Sequence, residues 1–348
     1  MEKTKVVVGM SGGVDSSAAA LLLKNKGYDV IGVTMSFFDD CSCLASFEDA
    51  KHVAEKIGIP HYIIDFKDEF KKKVIDYFIT EYSNARTPNP CVVCNRFIKW
   101  EALLRSAKEL GAFKIATGHY ASIEKLESTG RFAIKTSEAG QKDQTYVLYR
   151  LTQEQLAATI MPLGGYKKSD IRKLAESIDA GISKKSDSQE ICFIPDNDYI
   201  GYINRNSEMS YPGGNFVDVN GNILGWHKGI ISYTIGQRKG LGISAGKPMY
   251  VKKIEKETNN VILCGNEDLF SRRLLANNIN FVSEAFIEGE TKVFAKIRYN
   301  HKKAPATIRM LSEDLIECVF DEPQRAITPG QSAVFYKGDY VLCGGTII

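Results

Sequence analysis

Apolar residues follow two different rhythms along this chain. In the first 120 residues, short apolar runs alternate with stretches where apolar side chains return every three or four positions. The first rhythm fits strands buried on both faces, and the second fits amphipathic helices. The expected strands are Lys5–Met10, Val30–Phe38, His61–Phe66 and Lys114–Thr117. The expected helices are Ser16–Lys26, Glu48–Ile57, Glu69–Tyr82 and Asn95–Leu110. Gly58 with Pro60, and Gly111, supply stop signals for two of them. This alternation predicts an α/β fold with a doubly wound parallel sheet. Near residue 200 the helical rhythm stops. Phe216–Val219 and Ile223–Trp226 flank Asn220-Gly221, a hairpin signal. Tyr250–Glu255 pairs in pattern with Asn260–Cys264, and alternation resumes from Asn277 in Lys292–Arg298, Ala306–Met310, Leu315–Phe320 and Ser332–Tyr336. The expected organisation is an α/β domain over residues 1–200, a small β-rich central domain over 201–265, and a C-terminal β-barrel over 266–348.

Composition narrows the setting. No apolar run approaches the length that crosses a bilayer, and Met1-Glu2-Lys3-Thr4 leads directly into the first strand without a signal peptide. A cytoplasmic protein is expected, with no membrane partner. Its 8 cysteines then read as chemistry, metal ligation or packing, not as a disulfide framework. The net charge of +3 neither demands nor excludes nucleic acid.

The most informative segment joins the first strand to the first helix: Gly9-Met10-Ser11-Gly12-Gly13-Val14-Asp15-Ser16-Ser17. Two glycines let backbone approach a ligand, and a helix N-terminus presents free N–H groups and a positive dipole end to phosphate. No Gly-Lys-Ser/Thr closes the run, so it is not a Walker loop. It resembles the SGGxDS loop of the PP-loop ATP pyrophosphatases, which cleave ATP between the α and β phosphates and transfer AMP to an oxygen. Asp15 can cap the helix. A carboxylate facing bound phosphates also needs a cation between them, which gives it a Mg²⁺-bridging role.

Cysteines carry the second signal. In Thr87-Pro88-Asn89-Pro90-Cys91-Val92-Val93-Cys94-Asn95 the prolines disfavour helix, and Asn95 opens one. Cys94 is therefore expected at a helix N-terminus beside Arg96 and Lys99, both of which favour a reactive thiolate. Cys192, in Ser188–Pro195, is the candidate second sulfur. Cys41 and Cys43 read as loop thiols, while Cys264, Cys318 and Cys343 sit in β-like apolar runs and read as packing. Gly118-His119-Tyr120 follows a strand end, where ligands bind in parallel sheets. Lys142-Asp143-Gln144 lies in a polar loop, and Lys296–Lys303 joins four formal positive charges to Tyr299. That last pattern suits phosphate contact with stacking.

Together these segments, with the glycine-rich Tyr233–Gly242, closely resemble the bacterial tRNA-specific 2-thiouridylases over essentially the whole chain. The resemblance implies ATP binding through Gly9, Met10, Ser11, Gly12, Gly13, Val14, Asp15 and Ser16, with adenine contacts near Met35 and Gly118. It implies AMP transfer to the 2-oxygen of the wobble uridine in tRNAs for lysine, glutamate and glutamine. A persulfide on Cys192 would supply sulfur, with Cys94 as nucleophile. Sulfur would come from a cysteine desulfurase or a sulfur relay protein. Asn89, Pro90 and Cys91 match positions that meet the target base. His119, Lys142, Asp143, Gln144, Arg298, Tyr299 and Gln331 match tRNA contacts. The family pattern has aspartate where this chain has Cys91, which puts any base-contacting or proton-transfer role of that residue in doubt here. The substitution also opens an alternative, an iron–sulfur cluster on Cys91, Cys94 and Cys192. Persulfide chemistry is favoured over it, because it needs only Cys94 and Cys192. Two other readings are a small-molecule PP-loop ligase similar to argininosuccinate synthetase and a non-catalytic RNA-binding protein. Neither requires two reactive cysteines.

Overall fold

The computed structural model describes residues 3–38, 42–185, 191–243 and 246–348, without the side chains of residues 42–44 and 141. Cys41 and Ser188–Glu190 therefore lie outside the described residues, as does the side chain of Cys43.

Val6, Val7 and Val8 are fully buried, and their strand Lys5–Gly9 forms the middle of a five-stranded parallel sheet. The strand order is His61–Asp65, Asp29–Ser36, Lys5–Gly9, Lys114–Ala116, Thr159–Ile160. Order reverses beside the central strand, so a crevice opens past the carboxyl ends of Lys5–Gly9 and Lys114–Ala116. Helix Val14–Asn25 follows the first strand. Residues 67–83 and 90–109 form two long helices, each with a stretch of π-helical turns, at Lys71–Ile75 and Asn95–Ala102.

The second of these helices starts five residues earlier than expected. Pro90 takes its first turn, where a missing N–H costs nothing and the fixed φ is already helical. A proline that argues against a helix from sequence thus starts one here. Two further helices, Lys168–Ile178 and Tyr199–Asn206, escaped the sequence reading.

The next unit is a four-stranded sheet ordered Tyr250–Glu255, Asn260–Cys264, Gly214–Val217, Ile223–His227. Its Phe216, Val251 and Leu263 share one core with Phe70, Phe78, Ile98 and Phe193, so it packs as an extension of the first domain. The last unit is a closed six-stranded antiparallel barrel. It runs Phe270–Phe281, Leu315–Arg325, Ala304–Ser312, Thr291–Lys296, Ser332–Lys337 and Tyr340–Ile347, which pairs back to the first. The opening and closing strands were not expected from alternation. Phe270–Phe281 is interrupted by an irregularity between Asn277 and Asn280, and Tyr340–Ile347 is buried on both faces. The first domain reaches the barrel through the hairpin of Ser122–Lys125 and Phe132–Lys135, which meets it at Tyr340.

Candidate active site

The glycine loop sits in the crevice at the sheet's switch point. Gly12 has φ +70°, and a Cβ there would come within 2.6 Å of the Ser46 carbonyl oxygen. Gly118 closes over the loop from the neighbouring strand: a Cβ on it would lie 2.7 Å from the Asp15 carbonyl carbon and the Ser16 nitrogen. Met35 reaches the loop's first residue, its Cε 3.6 Å from where a Cβ on Gly9 would stand. The hydroxyl of Ser16 accepts the Ser11 N–H at 3.1 Å, and Ser17 Oγ donates to the Gly13 carbonyl at 2.8 Å. The expected nucleotide residues thus form one cradle, with helical N–H groups at its floor.

Asp15 does not cap the helix. Lys168 Nζ donates to both its carboxylate oxygens, at 2.7 and 2.8 Å, and the Tyr120 hydroxyl donates at 2.7 Å. Lys185 Nζ donates to the Gly12 carbonyl at 3.0 Å and pairs with Asp49. Two lysines therefore stand over the loop. Neither had a sequence signal, since both sit in ordinary polar stretches more than 150 residues downstream. Cationic side chains at a phosphate cradle favour a polyanionic ligand.

The cysteines form the second part of the site. Cys94 lies in the second turn of the helix, not at its N-terminus, and it is buried among Val74, Phe78, Ile98 and Phe193. Burial pushes its thiol up to about 12; Lys99 pulls the other way, and Cys192 and Cys91 raise it further. The expectation of an activated thiolate is therefore corrected for this state: desolvation outweighs the nearby cation. Arg96, the other expected activator, turns away. Its guanidinium meets Glu101 at 3.1 Å and lies over the Phe97 ring.

Lys99 remains. It sits five residues beyond Cys94 in the π-helical stretch, whose wider turn brings i and i+5 toward one face. Its charge acts on Cys91, Cys94 and His119 alike. Cys91 opens to solvent at the rim of a crowded cleft, and the protein packed around it raises its pKa. Cys192 is exposed, on a segment from elsewhere in the chain, yet near enough to act on Cys94.

The barrel is bonded to this part of the first domain, Tyr146 Oη donating to the Ser332 carbonyl at 2.9 Å. Tyr299 is half-buried, and burial, Asp143 and Cys91 all raise its pKa, so it stands between the polar loop and the cysteine helix. Lys296 Nζ lies 5.6 Å from the Tyr146 ring centre and 5.7 Å from that of Tyr299; burial lowers its pKa against the pull of Asp143. Gln331 Nε2 donates to the carbonyls of Thr87 and Pro88, at 2.9 and 3.1 Å, which clamps the loop leading into Asn89 and Pro90.

Several expected contact residues face inward. His119 is buried against Trp100, with Nδ1 2.8 Å from Thr117 Oγ1, and burial holds its pKa well below the usual range. Gln144 Oε1 accepts the Tyr120 N–H at 2.9 Å. Asp143 accepts from Ser137 N–H at 3.1 Å and Thr145 Oγ1 at 2.7 Å. Arg298 donates to the Arg325 carbonyl at 3.2 Å. Lys142 is exposed. In this state His119, Asp143, Gln144, Arg298 and Gln331 shape the cleft through contacts within the chain, where the sequence led to an expectation of direct tRNA contacts. Cys264, Cys318 and Cys343 are buried, as expected of packing residues.

Comparison with known proteins gives three family matches in chain order. Residues 4–196 match a tRNA methyl transferase HUP domain, residues 202–265 a tRNA methyl transferase PRC-barrel domain, and residues 271–347 an aminomethyltransferase beta-barrel domain. The chain is 53% identical over 355 residues to a tRNA-specific 2-thiouridylase of Lachnoclostridium phytofermentans, covering 99% of each chain. It is 54% identical over 352 residues to the corresponding protein of Clostridioides difficile, covering 99% of this chain and 98% of that one. A relative in Acetivibrio thermocellus is 50% identical over 358 residues, with complete coverage of both.

Proposed function

The chain belongs to the tRNA-specific 2-thiouridylase family, and we propose that it catalyses ATP-dependent 2-thiolation of the wobble uridine of tRNA, with Cys94 and Cys192 as the sulfur-handling pair. The observation that carries this reading is that Cys192 lies close enough to Cys94 for its charge to act on that thiol, in the domain that also holds the glycine-loop cradle.

ATP binds across Gly9–Ser16, with Met35 and Gly118 beside it, and Lys168 and Lys185 offset phosphate charge. Asp15 would have to exchange its bonds to Lys168 for a Mg²⁺ ion held mainly by phosphates and water. Such an ion would neutralise the departing pyrophosphate. A uridine oxygen is a poor leaving group, and AMP transfer to O2 makes it a good one. The terminal sulfur of a Cys192 persulfide then attacks C2, and AMP departs with the oxygen. The Cys94 thiolate attacks Cys192 Sγ, breaking the persulfide S–S bond. Sulfur stays on C2, and a Cys94–Cys192 disulfide forms, which an external thiol must reduce before the next turnover. The two Cα atoms must come within about 7 Å at that step. The target base has to leave its stack to reach the cleft.

Asn89, Pro90 and Tyr299 border the space for that base. Tyr299 joins Lys142 and Lys296 on the side offered to the tRNA backbone, with Arg298 held beside them by the Arg325 carbonyl. The acceptors are tRNAs for lysine, glutamate and glutamine, and the persulfide comes from a cysteine desulfurase or a relay protein. Among the described residues no helix is long and apolar enough to cross a membrane, and a cytoplasmic site of action fits this. Among the described residues no three His, Cys, Asp or Glu side chains form a metal-holding group, and the persulfide route needs only two of the cysteines. Cys91 is expected to be dispensable.

The test is reconstitution with ATP, unmodified tRNA and a persulfide donor, reading 2-thiouridine by mass spectrometry of nucleosides. Cys94→Ser and Cys192→Ser should each abolish the product while remaining folded. Near-wild-type thiolation by either variant would sink the assignment. Stoichiometric iron after anaerobic purification, with an inactive Cys91→Ser, would replace the persulfide by a cluster.

A further inference from the structure

Three cations converge on one aromatic ring on the outer side of the cysteine helix. Lys73 Nζ lies 5.1 Å from the Phe97 ring centre, Arg96 Cζ 5.2 Å and Arg150 Cζ 5.9 Å. They come from three separate segments: the π-helical stretch Lys71–Ile75, the stretch Asn95–Ala102 that follows Cys94, and the residue after the buried run 145–149. Arg96 has an acidic partner, Glu101. Among the described residues neither Lys73 nor Arg150 has one within salt-bridge distance.

Cation–π attraction holds each charge to the ring face, but it does not remove their mutual repulsion. Like charges gathered in a small volume, with one carboxylate among three, are a preformed place for anions. Position selects which anion. The ring lies three residues beyond Cys94, and Arg150 lies six residues beyond Gln144 at the end of the loop that borders the cleft. A base delivered to Cys94 would bring its flanking phosphates near the helix that carries both Cys94 and Phe97. Phe97 is half-buried and packed against the core, so the ring is a fixed mount, and the Lys73 side chain on it is exposed.

We propose that Lys73, Arg96 and Arg150, organised by Phe97, form a phosphodiester-binding site for the tRNA segment flanking the target base. This rests on the tRNA-thiolation reading and adds a contact site outside the residues assigned above. Arg96 is left intact in the test because of its bond to Glu101. The double variant Lys73→Gln/Arg150→Gln is titrated with an anticodon stem–loop RNA across a salt series, with ATP affinity measured by calorimetry and folding by thermal melting. The expected result is weaker RNA binding and a slope of log K against log salt reduced by about 1.4 to 1.8 for two lost contacts, with ATP affinity and melting unchanged. If Arg150→Gln disturbs folding, Lys73→Gln alone should still lower the slope by about 0.7 to 0.9. A wild-type slope in the folded variants would overturn the proposal while leaving the thiolation reading intact. The same holds if RNA binding is unchanged but sulfur uptake from the donor protein falls, which would assign the patch to a protein partner. Failure of the wild-type protein to bind RNA at all would overturn both.

Discussion

Cys94 should be nearly silent toward alkylation until substrate binds. Its thiol is held at about 12 by burial, against a reference of 9.0. Three pH units leave about a thousandfold less thiolate near neutrality, a difference of about 4 kcal/mol. A more basic thiolate is also a better nucleophile. With a Brønsted coefficient of about 0.4 to 0.5, three units return roughly 15- to 30-fold. The net expectation is modification about 30- to 60-fold slower than an ordinary exposed thiol, before steric exclusion is counted. The assay is iodoacetamide labelling of the free enzyme in a pH series, with peptide mass spectrometry resolving Cys91, Cys94 and Cys192. The Cys94 rate should climb close to tenfold per unit through pH 10, where an ordinary thiol has levelled off. Adding tRNA and a non-hydrolysable ATP analogue should raise it, because the proposed sulfur transfer requires the thiolate that this state suppresses. A plateau below pH 8 in the free enzyme would refute the reasoning. It would mean that Lys99 and the helix dipole outweigh desolvation.

Gly118→Ala should weaken ATP binding by at least tenfold with tRNA affinity retained, because the added Cβ meets the backbone of Asp15 and Ser16 at 2.7 Å and neither can swing aside; calorimetric titration with each ligand checks it. Gln331→Ala should lower stability by about 1 to 3 kcal/mol through two lost hydrogen bonds to the Thr87 and Pro88 carbonyls. Chemical denaturation measures that change, and thiolation should fall with it as the base-facing loop loosens. His119 binds its proton less readily folded than unfolded, where its value is near 6.5. The unfolded state therefore takes up more protons below that pH, and this group makes the protein lose stability as pH falls from 6.5, by up to about 1.4 kcal/mol per unit. His119→Gln should reduce the acid-side drop in melting temperature; an unchanged drop would show that His119 is not held neutral.

The sequence by itself determined the elements whose cause is local. Alternating apolar runs and helical periodicity placed four strands of the parallel sheet within a residue or two, and missed the two-residue edge strand Thr159–Ile160. The Gly9–Ser17 loop declared a phosphate cradle, because glycine conformations and helix N-termini are properties of neighbouring residues. Resemblance to the thiouridylases picked out Cys94 and Cys192 as the proposed sulfur-handling pair, which local pattern could only nominate. Tertiary structure decided what depends on surroundings. The loop before Pro90 is pinned by Gln331, from the far end of the chain. Lys168 and Lys185 reach the cradle only through the fold, and Tyr299 comes within electrostatic reach of Cys91 only because the barrel packs against the first domain. Above all, the state of Cys94 could not be read locally. Its neighbours in sequence, Arg96 and Lys99, argue for a thiolate, while its neighbours in space, Val74, Phe78 and Phe193, remove the water that a thiolate needs. Charge along a chain is visible in its letters, but desolvation is a property of the packed volume around an atom, and that volume exists only once distant segments have closed over it.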